Sequence, residues 1–308
     1  MSGLGEHVDD YLKFRRAFGF KLERHGRILP QFVAYLEAAG ASTVSSELAI
    51  SWARLPTGAH PGHWAARLAV ARGFAAYLQT IDPATEVPPA DVFAVGYRRP
   101  TPYLWSQRDI CGLLTQARAL RPPLRAASLE TLFGLLAVSG MRVGEAIALE
   151  RSDVDLNDGV ITIREQIAKH ERARLVPLHA STVEALHRYV RTRERLCPQP
   201  RSKAFFLTGA GTVLNRSEVS KTLRKITTAL GLRTATVHPR THDLRHSFAV
   251  STLIAWQRSG VQIDERIAAL STYLGHVSPA DTYWYLTATP ELMGVAAERL
   301  DRRFGGQS

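Results

Sequence analysis

The chain has 308 residues, of which 45% are apolar and 22% charged, material enough for two packed cores, which excludes wholesale disorder. No apolar run reaches the ~18 residues that a membrane span needs, and the first ten residues carry Glu6, Asp9 and Asp10 rather than the apolar segment of a secretory leader. Two cysteines, Cys111 and Cys197, show no metal-ligand spacing, which fits a reduced, cytoplasmic protein. In chain order, apolar residues at three- and four-residue spacing predict helices over His7–Phe18 and Ile28–Ala39. Ser45-Ser46-Glu47-Leu48 opens a short helix that ends near Pro56, and Trp64, Leu68, Phe74 and Leu78 mark another from Gly62 to Thr80. Four short helices without a strand pattern make a small all-α domain, residues 1–97. Five prolines between Asp82 and Pro102 read as a linker.

The second part, residues 98–308, is mixed. Helices are predicted at Ser106–Ala119, Ala126–Val138 and Arg142–Leu149. Asn157-Asp158-Gly159 is a turn signal, and Val160–Ile167 and Arg174–Leu178 alternate as two strands of a hairpin-like sheet. Helices resume at Ala180–Leu196, Ser217–Leu230, His242–Arg258, Glu265–Leu274, Pro279–Leu286 and Pro290–Phe304. Mainly α with a small β-sheet is therefore the expected fold class.

Charge divides the chain at the same place. Residues 1–97 hold nine basic and nine acidic side chains, whereas residues 98–308 hold 30 and 19 and so carry the whole excess of +11. Such concentration points to a polyanion, with a merely basic surface as the bland alternative. Only six of the basic residues are lysines, so arginine, which grips phosphate bidentately, is the default cation here.

Three short motifs hold candidate chemistry. In Ser139-Gly140-Met141-Arg142-Val143-Gly144-Glu145, Gly140 can end one helix and Arg142 sits at the start of the next, where anions are favoured. In Thr241-His242-Asp243-Leu244-Arg245-His246, His242 and Arg245 share a helix face and can both donate to phosphate oxygens. His238, His242 and His246 have a zinc-like spacing, but Pro239 interrupts the helix that this needs, and no cysteine or carboxylate completes the set. The third motif is Leu274-Gly275-His276, followed nine residues later by Tyr285, within Asp281-Thr282-Tyr283-Trp284-Tyr285-Leu286. A buried aromatic cluster is the bland reading of that last stretch.

The ordered set Arg142, Lys169, His242-x-x-Arg245, Leu274-Gly275-His276 and Tyr285 resembles the tyrosine recombinase, or phage integrase, family. The resemblance covers nearly the whole chain and is strongest from Gly140 to Tyr285. It implies a helical core-binding domain (1–97) and a mixed α/β catalytic domain (98–308) that form a C-shaped clamp on double-stranded DNA. The implied activity is site-specific recombination: integration, excision or transposition of a mobile element through a covalent 3′-phosphotyrosyl intermediate. Arg142 and Arg245 would hold the scissile phosphate, and His242 and His276 would add hydrogen bonds and help with the nucleophile's proton. Tyr285 would attack phosphorus, and Lys169 would protonate the departing 5′ oxygen, a task for which the arginine pKa is too high. Glu145 would orient the arginines from behind. No cofactor or metal is implied. A homotetramer on synapsed DNA, or an assembly with sister recombinases, is the implied partner state, with the amphipathic Pro290–Phe304 segment docking either on a neighbour or on its own domain.

Two features depart from the family pattern. Tyr283 competes with Tyr285; on a helix the two point about 200° apart, so one alone can face a phosphate, and the spacing from His276 selects Tyr285. Trp256–Ile267 is longer than the usual connection before the Leu-Gly-His motif. A type IB topoisomerase, a resolvase or invertase role, and a DNA-binding relative without catalysis stay open.

Overall fold

The computed structural model describes residues 3–93, 101–168, 173–278 and 281–282. The chain divides into two compact units, Met1–Arg99 and Pro100–Ser308. Among the described residues the protein is mainly helical with one small sheet, and no helix is long and apolar enough to cross a membrane.

In the first unit, α1 (Leu4–Ala17), α2 (Glu23–Ala38), α3 (Ser46–Arg54) and α4 (Pro61–Leu78) enclose Leu29, Phe32, Leu36, Trp52 and Phe74. The starts are written locally. Ser45 caps α3 by accepting from the Leu48 N–H at 3.3 Å, and Pro61 occupies the first turn of α4, where its missing N–H costs nothing. The proline-rich stretch differs from the linker that its composition predicts, because residues 82–93 pack on this unit. The Thr43 and Thr85 hydroxyls bond at 2.8 Å, the Arg72 Nε donates to the Pro88 carbonyl at 2.9 Å, and Val87, Val92 and Phe93 lie against the core. Prolines remove donors without preventing side-chain burial.

The second unit is built on α6 (Pro123–Ser139), which buries Leu124, Leu129, Leu132, Phe133, Leu135 and Leu136 and is therefore central. It packs against α5 (Gln107–Arg118), α8 (Ala180–Leu196) and α10 (Thr241–Arg258). The five-residue α7 (Val143–Ile147) follows α6, and α9 (Arg216–Ala229) precedes α10. The sheet has three antiparallel strands in the order β1 (Val154–Asp155), β2 (Val160–Ile163), β3 (Arg174–Pro177), one strand more than the two expected. A two-residue strand leaves no alternation to read. The Asn157-Asp158-Gly159 turn joins β1 to β2, with the Asp155 carboxylate accepting from the N–H groups of Asn157 and Asp158 and Gly159 at φ +65°. Helix α11 (Ile263–Leu274) packs on α10 through Val250, Leu253, Leu270 and Leu274. Trp256–Ile267 comprises the end of α10, the turn with Gly260 at φ +81°, and the first turns of α11. The helices expected at Pro279–Leu286 and Pro290–Phe304 lie outside the described residues, apart from Asp281 and Thr282.

Candidate active site

Two helix ends make the site. Helix α6 stops at Gly140, whose φ of +61° is left-handed, and α11 stops at Gly275, with φ +68°. At such ends the last carbonyls have no helical partner and carry the negative end of the helix dipole. Here they receive guanidinium donors. Arg245, one turn into α10 and 1% exposed, donates from Nη1 to the Gly140 carbonyl at 2.9 Å and from Nη2 to the Leu274 carbonyl at 2.7 Å. Arg142 caps α7 and donates from Nη2 to the Gly275 carbonyl at 2.8 Å.

Gly140 is required twice over. A Cβ there would lie 2.4 Å from Phe248 Cδ1 and 3.0 Å from Leu274 Cδ2, and φ is positive. Gly140→Ala is expected to lower stability by about 2–5 kcal/mol, from left-handed strain plus overpacking. Gly144→Ala is the control, since a Cβ at that helical position meets nothing within 4 Å. It should leave stability equal or slightly raised. Urea unfolding of both variants measures the contrast.

Glu145 lies behind Arg142. It is 2% exposed, and its Oε1 accepts from Arg142 Nη1 at 2.9 Å while Oε2 accepts from the Arg142 N–H at 3.1 Å. A third arginine shares it: Arg174 on β3 donates from Nη2 to Oε2 at 2.6 Å and from Nη1 to Oε1 at 3.2 Å. Burial by itself raises the Glu145 carboxyl, but Arg174 and then Arg142 outweigh it and hold the group below the usual carboxylate range.

Leu274-Gly275-His276 is a glycine-terminated helix end. Leu274 anchors it in the core, and the His276 N–H closes back on the Ser271 carbonyl at 2.9 Å. The His276 ring is half-buried and its Nδ1 bonds the Thr282 hydroxyl at 2.7 Å, which orients it. Burial, then the charges of Arg245 and Arg142, push its pKa down to about 4, with Asp281 opposing and His242 adding to the depression. That depression favours the neutral imidazole at pH 7.

Arg240 precedes α10 as its N-cap residue, and its N–H donates to the Asp243 carboxylate at 2.8 Å. The first turn of α10 carries exposed His242, on the same face as Arg245. His246, one turn on, is 2% exposed, and burial, His242 and Arg240 push its pKa down to about 4. That makes His246 a core residue. Among the described residues no group of three or more His, Cys, Asp or Glu side chains could hold a metal ion.

The structure therefore brings Arg142, His242, Arg245 and His276 together, with Glu145 behind them. Lys169, Tyr283 and Tyr285 lie outside the described residues. Sequence reasoning missed two members. Thr282 shows no sequence signal. Arg174 has one: it precedes buried Val176 by two residues, so an arginine stands on the inward face of a strand. Arg142, Arg245, His242 and His276, with Glu145 and Arg174 behind them, make a cationic centre suited to a phosphodiester.

Residues 113–291 match the model of the phage integrase family. The chain is 42% identical to y4rB of Sinorhizobium fredii, a protein carrying an integrase/recombinase name, over 99% of each chain. It is 36% identical to y4rE of the same organism, similarly named, over 96% of this chain and 95% of the relative. Among solved structures it is similar in fold to the Tn1549 transposon integrase in complex with a circular intermediate DNA, with a TM-score of 0.63, 16% identity, and coverage of 95% of this chain and 99% of that one.

Proposed function

Because the chain belongs to the phage integrase family, we propose that it is a tyrosine recombinase that performs site-specific recombination for a mobile element, with Tyr285 as its nucleophile. The observation that carries this reading is the way Arg142 and Arg245 are held by the carbonyls of Gly140, Leu274 and Gly275, next to His276. Donors fixed in this way need no reorganisation as negative charge builds on a phosphorane, which is where electrostatic catalysis is strongest. In this mechanism Arg142 and Arg245 bind the non-bridging oxygens. His242 donates to the phosphate, and neutral His276 helps to take the proton of the Tyr285 phenol. The phenolate oxygen bonds to phosphorus, the bond from phosphorus to the 5′ oxygen breaks, and Lys169 supplies the proton of that leaving group. The new phosphotyrosyl ester keeps the energy of the broken bond, so attack by a 5′ hydroxyl from a second duplex rejoins the strands without an external energy source.

Double-stranded DNA is the partner in this reading; the transposon integrase is in complex with a circular intermediate DNA. Residues 1–97 serve as the core-binding domain and 98–308 as the catalytic domain. A homotetramer on two synapsed sites, or an assembly with sister recombinases, is the working form.

Covalent trapping in cells tests the reaction. Lysis in denaturant should recover protein still joined to DNA through 3′ phosphates at one recurring sequence. Lys169→Ala should lower cleavage by about 10²–10⁴-fold, and a substrate with sulfur in place of the 5′ bridging oxygen should restore it, since a thiolate leaves without a proton. Adducts scattered over random sequence, or none at all, would sink the site-specific reading. Joining of ends from two different duplexes separates recombination from the relaxation that a topoisomerase performs.

A further inference from the structure

Arg174 reaches further across this site than its place on a strand would require. Its Nη1 and Nη2 meet both oxygens of Glu145, and its Nε donates to the Tyr273 carbonyl at 3.0 Å. The guanidinium also lies against the bare α-carbon of Gly275, where a Cβ would be 2.8 Å from Nη1 and 3.0 Å from Cζ. One side chain thus ties together β3, α7 and the end of α11. Both grips on Arg142 depend on it: Glu145, which holds Arg142 Nη1, and Gly275, whose carbonyl holds Arg142 Nη2. The residue after Gly275 is His276.

We propose that Arg174 is a positioning residue for strand cleavage, which sets Arg142 and His276 by bridging Glu145 to the Leu-Gly-His turn without touching the phosphate. The proposal rests on the reading of this site as a DNA-cleaving centre. A planar fork is needed for the task, because three donors in one plane reach the two carboxylate oxygens and the backbone carbonyl at once. A lysine ammonium keeps the charge but cannot span all three.

The test uses the full chain and a duplex carrying the sequence recovered from trapped adducts. Arg174→Lys and Arg174→Gln should bind that duplex as the wild type does, while cleavage at saturating DNA falls on the order of 100-fold, the cost of displaced reacting groups. Because the arginine acts through Glu145, Arg174→Gln should cost far less when Glu145→Gln is already present. Among the described residues the charged groups acting on Glu145 are Arg174 and Arg142. Removing the first lets the buried carboxyl titrate higher, so the acid limb of the cleavage profile should move to higher pH in Arg174→Gln. A carbon-13 titration of the Glu145 carboxyl in the DNA-free protein should show the same shift.

Cleavage at the wild-type rate in both variants, with only the unfolding midpoint lowered, would reduce Arg174 to a stabilising ion pair and overturn the proposal. DNA affinity falling in step with cleavage would overturn it too, by making Arg174 a DNA contact. Failure of the wild type itself to form an adduct contradicts the recombinase reading instead. In that case an unchanged Glu145 titration in Arg174→Gln separately refutes the hold on the carboxylate.

Discussion

Replacing Tyr285 with phenylalanine is expected to abolish covalent attachment to DNA while leaving duplex affinity little changed. The substitution removes one oxygen, the atom proposed to bond to phosphorus, so no residual path would lead to the same ester. An isolated phenol, with a pKa of about 10, is a weak nucleophile at pH 7. In the proposed mechanism Arg142 and Arg245 favour its ionised form and His276 helps to take the proton. Affinity should persist because it comes from many phosphate contacts spread over a basic surface rather than from one ring. Tyr283→Phe should cleave normally, since the nine-residue spacing from His276 selects Tyr285. Gel separation of denatured adducts, beside a binding titration at matched salt, measures both quantities. Adducts retained by Tyr285→Phe and lost by Tyr283→Phe would move the nucleophile.

Arg245→Lys should fold and bind DNA but cleave about 10³-fold more slowly, the range seen when a fixed cation is removed from a phosphoryl-transfer site. Its guanidinium is held by carbonyls at 2.9 and 2.7 Å, so its orientation is set before substrate arrives. An ammonium can satisfy one of those carbonyls, but it cannot do so and also present a planar pair of donors to phosphate. Arg245→Ala is less informative, because it leaves two buried carbonyls without their donor at about 1–3 kcal/mol each and so mixes stability with chemistry. Single-turnover cleavage at saturating DNA, with a urea midpoint for each variant, keeps the two effects apart. An Arg245→Lys enzyme as fast as the wild type would mean that Arg245 supports the fold and takes no part at phosphorus.

Local features of the site were legible in the sequence. Gly140 ends a helix and Arg142 starts the next because both consequences follow from neighbouring residues. His242 and Arg245 share a face through helical spacing alone. What escaped the sequence depends on distant partners: Arg142 meets Gly275 across 133 residues, Arg174 meets Glu145 across 29, and no local pattern announces either contact. The charge step counts arginines without placing them: Arg193 donates to the carbonyls of Phe205 and Ala204, and Arg245 and Arg174 donate to protein carbonyls as well. In a chain that uses arginine so freely, part of the positive charge serves the fold. In the proline-rich stretch, residues 82–93 bury Thr85 and reach the core with Val87, while the boundary between the two units falls further on, at Arg99.

The most direct measurement is on the adduct itself: trap it, digest it with nuclease and protease, and find by mass spectrometry which residue carries the remaining nucleotide. The account predicts a 3′-phosphotyrosyl nucleotide on the peptide containing Tyr283 and Tyr285, with fragmentation placing it on Tyr285. A nucleotide on Tyr283, on a serine, or on no residue of the chain would contradict it.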